Sequence, residues 1–352
     1  MKREPDIENE LDETGEGPEE LYERMNLTVD RGQEPIRLDK FLVARVENAS
    51  RNKVQKAIES GRVLVNSKTI PSNYKIKPGD EIIVYSDKEV HGEEIIPEDL
   101  PLKIEYEDDQ IMIINKPPEL VVHPACGNPS GTLINAVAFH LLKQNANLNE
   151  EVLPRFGLVH RIDKNTSGLM VLAKTEKGVT SLAKQFFDHT VKRHYVAVVW
   201  GDVEKDNGTI IAHVGRHQRF RKVFDAYPDG EHGKEAITHY TVLERFGYVT
   251  VVQCRLETGR THQIRVHMKH LGHPLFNDEF YGGDKIVKGT VFSKYRQFVE
   301  NCFAICPRHA LHAKTIGFIH PGTGKEVFFD SELPEDMSAL IEKWRKYVKR
   351  EA

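Results

Sequence analysis

At 352 residues the chain exceeds one domain of about 150, so two folded units with tails are expected, and a hydrophobic content of 39% suffices for their cores. No apolar run approaches the ~18 residues of a membrane span and no signal-peptide pattern is seen, so a soluble, cytosolic protein is expected. The four cysteines, Cys126, Cys254, Cys302 and Cys306, are too few and too irregular for a disulfide framework, and the net charge of −4 counts against a nucleic-acid partner until its distribution is read.

Residues 1–35 hold twelve acids and four bases, a net −8 that leaves +4 on the remaining chain. With Gly15, Gly17 and Pro18 among its acids, this stretch reads as a disordered tail that solubilises or self-shields. From Ile36 the pattern becomes compact. Leu38, Phe41 and Leu42 repeat at helical spacing, and Ser50 caps a second helix carrying Val54, Ala57 and Ile58 that stops at Gly61. Val63, Val65 and the turn Asn66-Ser67-Lys68 make a short hairpin, and a turn over residues 77–81 precedes a strand over 82–84. Arg51, Lys53, Lys56 and Arg62 cluster around the second helix as candidate phosphate contacts, against the plainer reading of a solvated face. The small αα-β domain thus spans residues 36–85. Residues 86–102, with Pro97 and Pro101, read as a linker.

Over residues 103–335 strands dominate, at 110–115, 168–174, 195–200, 236–243 and 249–256, with a turn over 244–248. Helices interleave at 133–143, 178–187 and from Arg260 or Thr261 to His270. The fold class expected is α+β, a mixed and largely antiparallel sheet with helices against it. Residues 336–352 close the chain as a helix whose stripe, Leu340, Ile341, Trp344 and Val348, packs onto that domain.

The most informative segment is His160-Arg161-Ile162-Asp163-Lys164-Asn165-Thr166-Ser167-Gly168. Asp163 lies between two cations, which favour its ionised form, and an ionised carboxylate serves as nucleophile or general base. The protein-kinase loop H-R-D is excluded because Ile162 intervenes, and no glycine-rich phosphate loop or D-F-G accompanies it. Cys302, Cys306, His309 and His312 follow a C-x3-C-x2-H-x2-H spacing that fits no standard structural zinc pattern, so neither a metal nor any other cofactor is expected.

The Asp163 segment resembles that of the RluA/RluD family of large-subunit ribosomal RNA pseudouridine synthases, most closely the RluD branch. The likeness continues in Ile114-Asn115-Lys116-Pro117-Pro118-Glu119-Leu120-Val121-Val122-His123-Pro124, Lys192-Arg193-His194-Tyr195, Gly259-Arg260-Thr261-His262-Gln263-Ile264-Arg265-Val266-His267 and Gly272-His273-Pro274-Leu275, in the family's order over residues 37–330. Residues 36–85 resemble the RNA-binding module first described in small-subunit ribosomal protein four. The resemblance implies an isomerase without cofactor that flips a uridine out of its RNA and rejoins the sugar to carbon 5 of the base. It makes Asp163 the catalytic carboxylate, attacking sugar or base or removing a sugar proton. Tyr195 becomes the tyrosine that stacks on uracil, and Arg265 the partner of the aspartate, with Arg260 a weaker claimant. Arg161, ahead of His160, fills the gap left by the flipped nucleotide or grips its phosphates. Lys116 touches RNA or braces the pocket. Pro118-Glu119 departs from members with a glycine nearby, so the local turn is open. A non-catalytic ribosome-assembly factor on the same fold, or a synthase for transfer RNA, is the alternative. The implied partner is large-subunit ribosomal RNA or its assembly precursor, met by a monomer.

Overall fold

A computed structural model describes residues 22–30, 32–43, 45, 51–86, 95–124, 128–146, 148–149, 152–217, 223–228, 230, 232–290 and 292–351. The chain divides into two compact units between Glu94 and Ile95.

The first unit holds β1 (Tyr22–Thr28), α1 (Leu38–Val43), α2 (Arg51–Glu59), β2 (Val63–Val65), β3 (Lys68–Thr69) and β4 (Glu81–Ser86). Its strands form an antiparallel sheet in the order β1-β4-β2-β3. Leu38, Phe41 and Leu42 of α1 and Val54 and Ile58 of α2 meet Val63, Val65, Ile82 and Val84 in one core, because helical and strand periods bring each set to one face. Asn66 and Ser67 take left-handed φ values of 50° and 63°, the twist that a two-residue hairpin requires. β1 corrects the expectation of a disordered tail over all of residues 1–35. Beneath the acidic composition, Met25, Leu27 and Val29 alternate with polar residues and lie against this core. Residues 1–21 and the proposed cap Ser50 lie outside the described residues.

The second unit holds β5 (Ile104–Glu107), β6 (Ile111–Lys116), α3 (Leu133–Gln144), β7 (Ser167–Ala173), α4 (Glu176–Phe187), β8 (Lys192–Trp200), β9 (Asn207–Arg216), β10 (Phe224–Tyr227), β11 (Lys234–Arg245), β12 (Val249–Leu256), α5 (Gln263–His270), α6 (Ser293–Ile305), β13 (Leu311–Ile319), β14 (Glu326–Asp330) and α7 (Glu335–Glu351). The sheet order is β10-β9-β11-β12-β8-β13-β7-β6-β5, with β14 beside β13. The named strands pair antiparallel except β13 with β7.

Both faces of this sheet are covered, so its central strands are apolar throughout and alternate between two cores. On β6, Met112 and Ile114 pack with Leu133, Ile134 and Val137 of α3, whereas Ile111 and Ile113 pack with Leu182 of α4. On β8, Val196, Val198 and Trp200 face Val299 and Cys302 of α6 and Met337, Leu340 and Trp344 of α7. Tyr195, Ala197 and Val199 turn the other way, toward Ile264 and Leu311. The stretch read as a linker over residues 86–102 is not free at its far end. Ile95 is buried in the first of these cores, and Glu98 accepts the Gly131 amide at 2.9 Å. Residues 87–94 lie outside the described residues.

Candidate active site

The loop carrying Asp163 leads into β7, and two buried cations hold its backbone. Lys116, at the end of β6, donates through Nζ to the carbonyls of Pro117 at 2.7 Å, Leu120 at 2.9 Å and Lys164 at 2.8 Å. Burial pulls its ammonium down to about 7, with the charge of Arg308 adding to the effect. Arg308 donates to the carbonyls of Asn165 at 2.9 Å and Leu311 at 3.0 Å and to Ser167 Oγ at 3.1 Å, while its Nε meets Asp336 at 2.7 Å. An irregular buried backbone needs donors for its carbonyls, and these side chains supply them. Lys116 thus braces the loop. Ring nitrogens of His309 and His312 meet the hydroxyls of Thr166 and Ser167, each at 2.9 Å, and His312 also meets Ser331 at 3.0 Å. Cys302 and Cys306 sit in the aromatic core beside Trp200, and Cys126 lies outside the described residues.

Across from this loop, α5 delivers Arg265. The helix begins at Gln263, later than Arg260 or Thr261, because His262 adopts a left-handed φ of 57°. The buried Gln263 side chain secures that start, accepting the Arg260 amide at 2.9 Å and Thr258 Oγ1 at 2.8 Å. Arg265 donates through Nη1 to Asp163 Oδ2 at 3.0 Å. Its Nε and Nη2 form a two-pronged bond with Asp278, at 2.7 and 2.8 Å. The side chains of Arg265 and Asp278 are 4% and 0% exposed, against 22% for Asp163, so the carboxylate facing the cavity is Asp163. His262 Nε2 lies 3.9 Å from Asp163 Oδ2, and its Nδ1 meets Tyr281 Oη at 2.8 Å. That hydroxyl also accepts the Phe224 amide at 3.1 Å.

A cavity of about 550 Å³ opens beside Asp163, with Ile162, Leu256, Ile264, Leu311 and Phe186 as apolar wall and Tyr195 in its lining. Burial raises the Tyr195 hydroxyl above its ordinary value, so it remains a proton donor. A second cavity of about 1080 Å³ shares Arg161, Asp163, Arg260, His262 and Arg265 with the first. The arrangement offers one carboxylate, one countercharge and a cavity with an apolar wall.

Over residues 110–270 the chain matches the family model described as RNA pseudouridylate synthase, and over 36–82 the S4 domain. A Chlorobaculum parvum protein called an uncharacterized RNA pseudouridine synthase is 46% identical over 91% of this chain and 98% of its own length. The chain belongs to the RNA pseudouridine synthase family. Family members are isomerases. Ribosomal large subunit pseudouridine synthase D of Escherichia coli is 39% identical over 92% of this chain and 94% of its own, and its Nitrosomonas europaea namesake 40% identical over 94% and 91%. A human structure, RNA pseudouridylate synthase domain containing 4, shares the fold at a TM-score of 0.53 and 19% identity, covering 69% of this chain and 92% of the human one.

The synthase fold thus gathers Asp163, Tyr195, Arg265, Arg161, His160 and Arg260 around one cavity. Two of these also make contacts within the protein. His160 accepts the Val171 amide at 3.0 Å and stacks on Phe186, and burial pushes it down to about 3, so it stands in the wall as a neutral ring. Arg260 Nε bonds the Glu235 carbonyl at 3.0 Å. In the S4 unit Arg51 is also engaged, its Nε 3.0 Å from the buried Asp39 carboxylate; Arg62 follows α2, Lys56 is exposed on it, and the Lys53 side chain lies outside the described residues. Sequence reasoning missed Asp278, Arg308 and Tyr281. A buried arginine that already faces one carboxylate requires a second partner, and Asp278 follows the recognised Gly272-to-Leu275 segment closely enough to have been considered. Glu119 adopts a φ of 66°, a turn that glycine would enter more easily, consistent with the departure noted at Pro118-Glu119.

Proposed function

We propose that the chain isomerises specific uridines of large-subunit ribosomal RNA to pseudouridine, with Asp163 as the catalytic carboxylate, Arg265 as its partner and Tyr195 as the stacking face. The carrying observation is the Asp163–Arg265–Asp278 array at the mouth of a slot lined by Tyr195. In the isomerisation the bond from C1′ to N1 breaks, the bond from C1′ to C5 forms, and the proton leaves C5 for the ring nitrogen freed. The base must turn inside a site that retains it, and an aromatic face stabilises an extruded base by roughly 1–3 kcal/mol, comparable with the cost of flipping. Arg161, exposed at both cavities, is the candidate to occupy the vacated helix or hold its phosphates. Arg51, Lys53, Lys56, Arg62 and Arg260 add phosphate contacts, and the chain acts as a monomer on RNA in the cytosol. No helix among the described residues is long and apolar enough to cross a membrane.

Mapping pseudouridines in ribosomal and transfer RNA from cells with and without this gene tests the reading. Large-subunit sites that vanish on deletion and return with the parent gene, but not with Asp163→Asn, are expected. Sites lost only from transfer RNA would move the substrate, and an unchanged map would overturn the activity.

A further inference from the structure

Arg193 stands two residues before Tyr195 on β8, so strand alternation turns both side chains to one face, and both line the same cavity. Arg193 is 8% exposed. Its Nε is buried without a hydrogen-bond partner, and among the described residues no carboxylate lies within 4.0 Å of its guanidinium. The nearest compensation is the Phe186 ring, 5.4 Å from the guanidinium carbon, a weaker partner than a carboxylate. The remaining wall is Gly259, where an added Cβ would come within 3.0 Å of Nη1, so the absence of a side chain there leaves the guanidinium its place.

Among the described residues of this unit the other buried arginines are matched: Arg265 holds Asp163 and Asp278, and Arg308 holds Asp336. A buried, uncompensated cation is costly to a free protein, and a site that tolerates one gains when a ligand supplies the missing charge. Among the described residues Asp163 is the one carboxylate in the cavity lining, and Arg265 already occupies its Oδ2.

We infer that Arg193 is a substrate-binding residue whose guanidinium receives an anionic oxygen of the extruded nucleotide. Building on the function proposed above, two oxygens have this chemistry. One is the nucleotide's phosphate, charged before any reaction. The other is a uracil oxygen, which takes up charge as the base separates from the sugar.

The test compares Arg193→Met and Arg193→Lys with the parent, in melting temperature, in single-turnover pseudouridine formation on an RNA stem-loop carrying a mapped uridine, and in salt-dependent binding of that RNA in an Asp163→Asn background. In either case Arg193→Met should melt at or above the parent temperature, because an unpaired buried charge has been removed, while turnover falls about 100-fold or more. Arg193→Lys should recover part of it. If the oxygen belongs to phosphate, RNA binding weakens and its logarithmic salt slope shrinks by about one. If it belongs to uracil, binding is unchanged and only the chemical step slows. Turnover equal to the parent's, or a loss matched by a lower melting temperature, overturns the inference and leaves Arg193 a structural residue. A parent protein that forms no pseudouridine would sink the functional proposal and this inference together, whereas an active parent equalled by Arg193→Met would sink this one alone.

Discussion

Arg265 serves two carboxylates at once, and the consequences of replacing it follow from the one that never meets solvent. Arg265→Met strands Asp278, whose side chain is 0% exposed, and breaking a buried pair from one side costs about 3–5 kcal/mol. Urea unfolding should show that loss, and Asp278→Leu added to Arg265→Met should recover most of it without restoring turnover. A double variant no more stable than Arg265→Met would mean that the loss does not come from an unpaired Asp278. Arg265→Lys keeps a charge but loses the fork, so partial activity is expected. Asp163→Asn keeps the Arg265–Asp278 pair intact; it should fold and bind RNA like the parent while turnover drops on the order of a thousandfold. Substantial single-turnover activity in that variant would remove Asp163 from the chemistry.

β7 and β13 pair in parallel through His312 with Ser167 and Ala313 with Gly168, directly after the Asp163 loop. Gly168 has a φ of 117°, and a Cβ there would sit 2.2 Å from the Ala313 carbonyl oxygen. Gly168→Ala therefore forces the strands apart and should destabilise by well over the about 1 kcal/mol of an ordinary glycine effect. Because that pairing seats the loop, turnover should fall further than global stability explains, which unfolding midpoints and single-turnover rates measured on the same preparation will decide. A variant with both values at the parent level would show that the strands can part without cost.

Three buried histidines bear on the molecule as a whole. Burial lowers His267 and His312 to about 4 and His309 well below its ordinary 6.5. In each the folded value lies below the unfolded one, so below pH 6.5 the unfolded chain binds protons that the folded chain refuses. Their contribution to stability is present above 6.5 and lost as pH falls toward 4, at up to about 1.4 kcal/mol per pH unit for each. Urea midpoints should drop between pH 7.5 and 5, and His312→Asn, which keeps hydrogen-bonding capacity beside Ser167 and Ser331, should lessen the drop. An identical pH dependence in parent and variant would contradict a neutral His312.

The sequence by itself determined the local and the repeated. Helical spacing of Leu38, Phe41 and Leu42, the β-branched and aromatic runs of β6 and β8, and the order of the synthase segments marked the elements and the fold class and pointed to Asp163, Tyr195 and Arg265 as the proposed site, since each is written in residues near one another or in a recognisable series. The acidic composition hid β1, because a net charge averaged over 35 residues overrides a period of two. What only the tertiary structure decided was pairing across distance. Asp278 becomes the second partner of Arg265, Lys116 and Arg308 become supports for a loop 48 and 143 positions away, and His160 becomes a neutral wall. Charge in a sequence carries no record of its desolvation; burial and the nearest opposite charge set what an ionisable group can do, and both are fixed by the packing of β6, β7, β8 and α5 around one cavity.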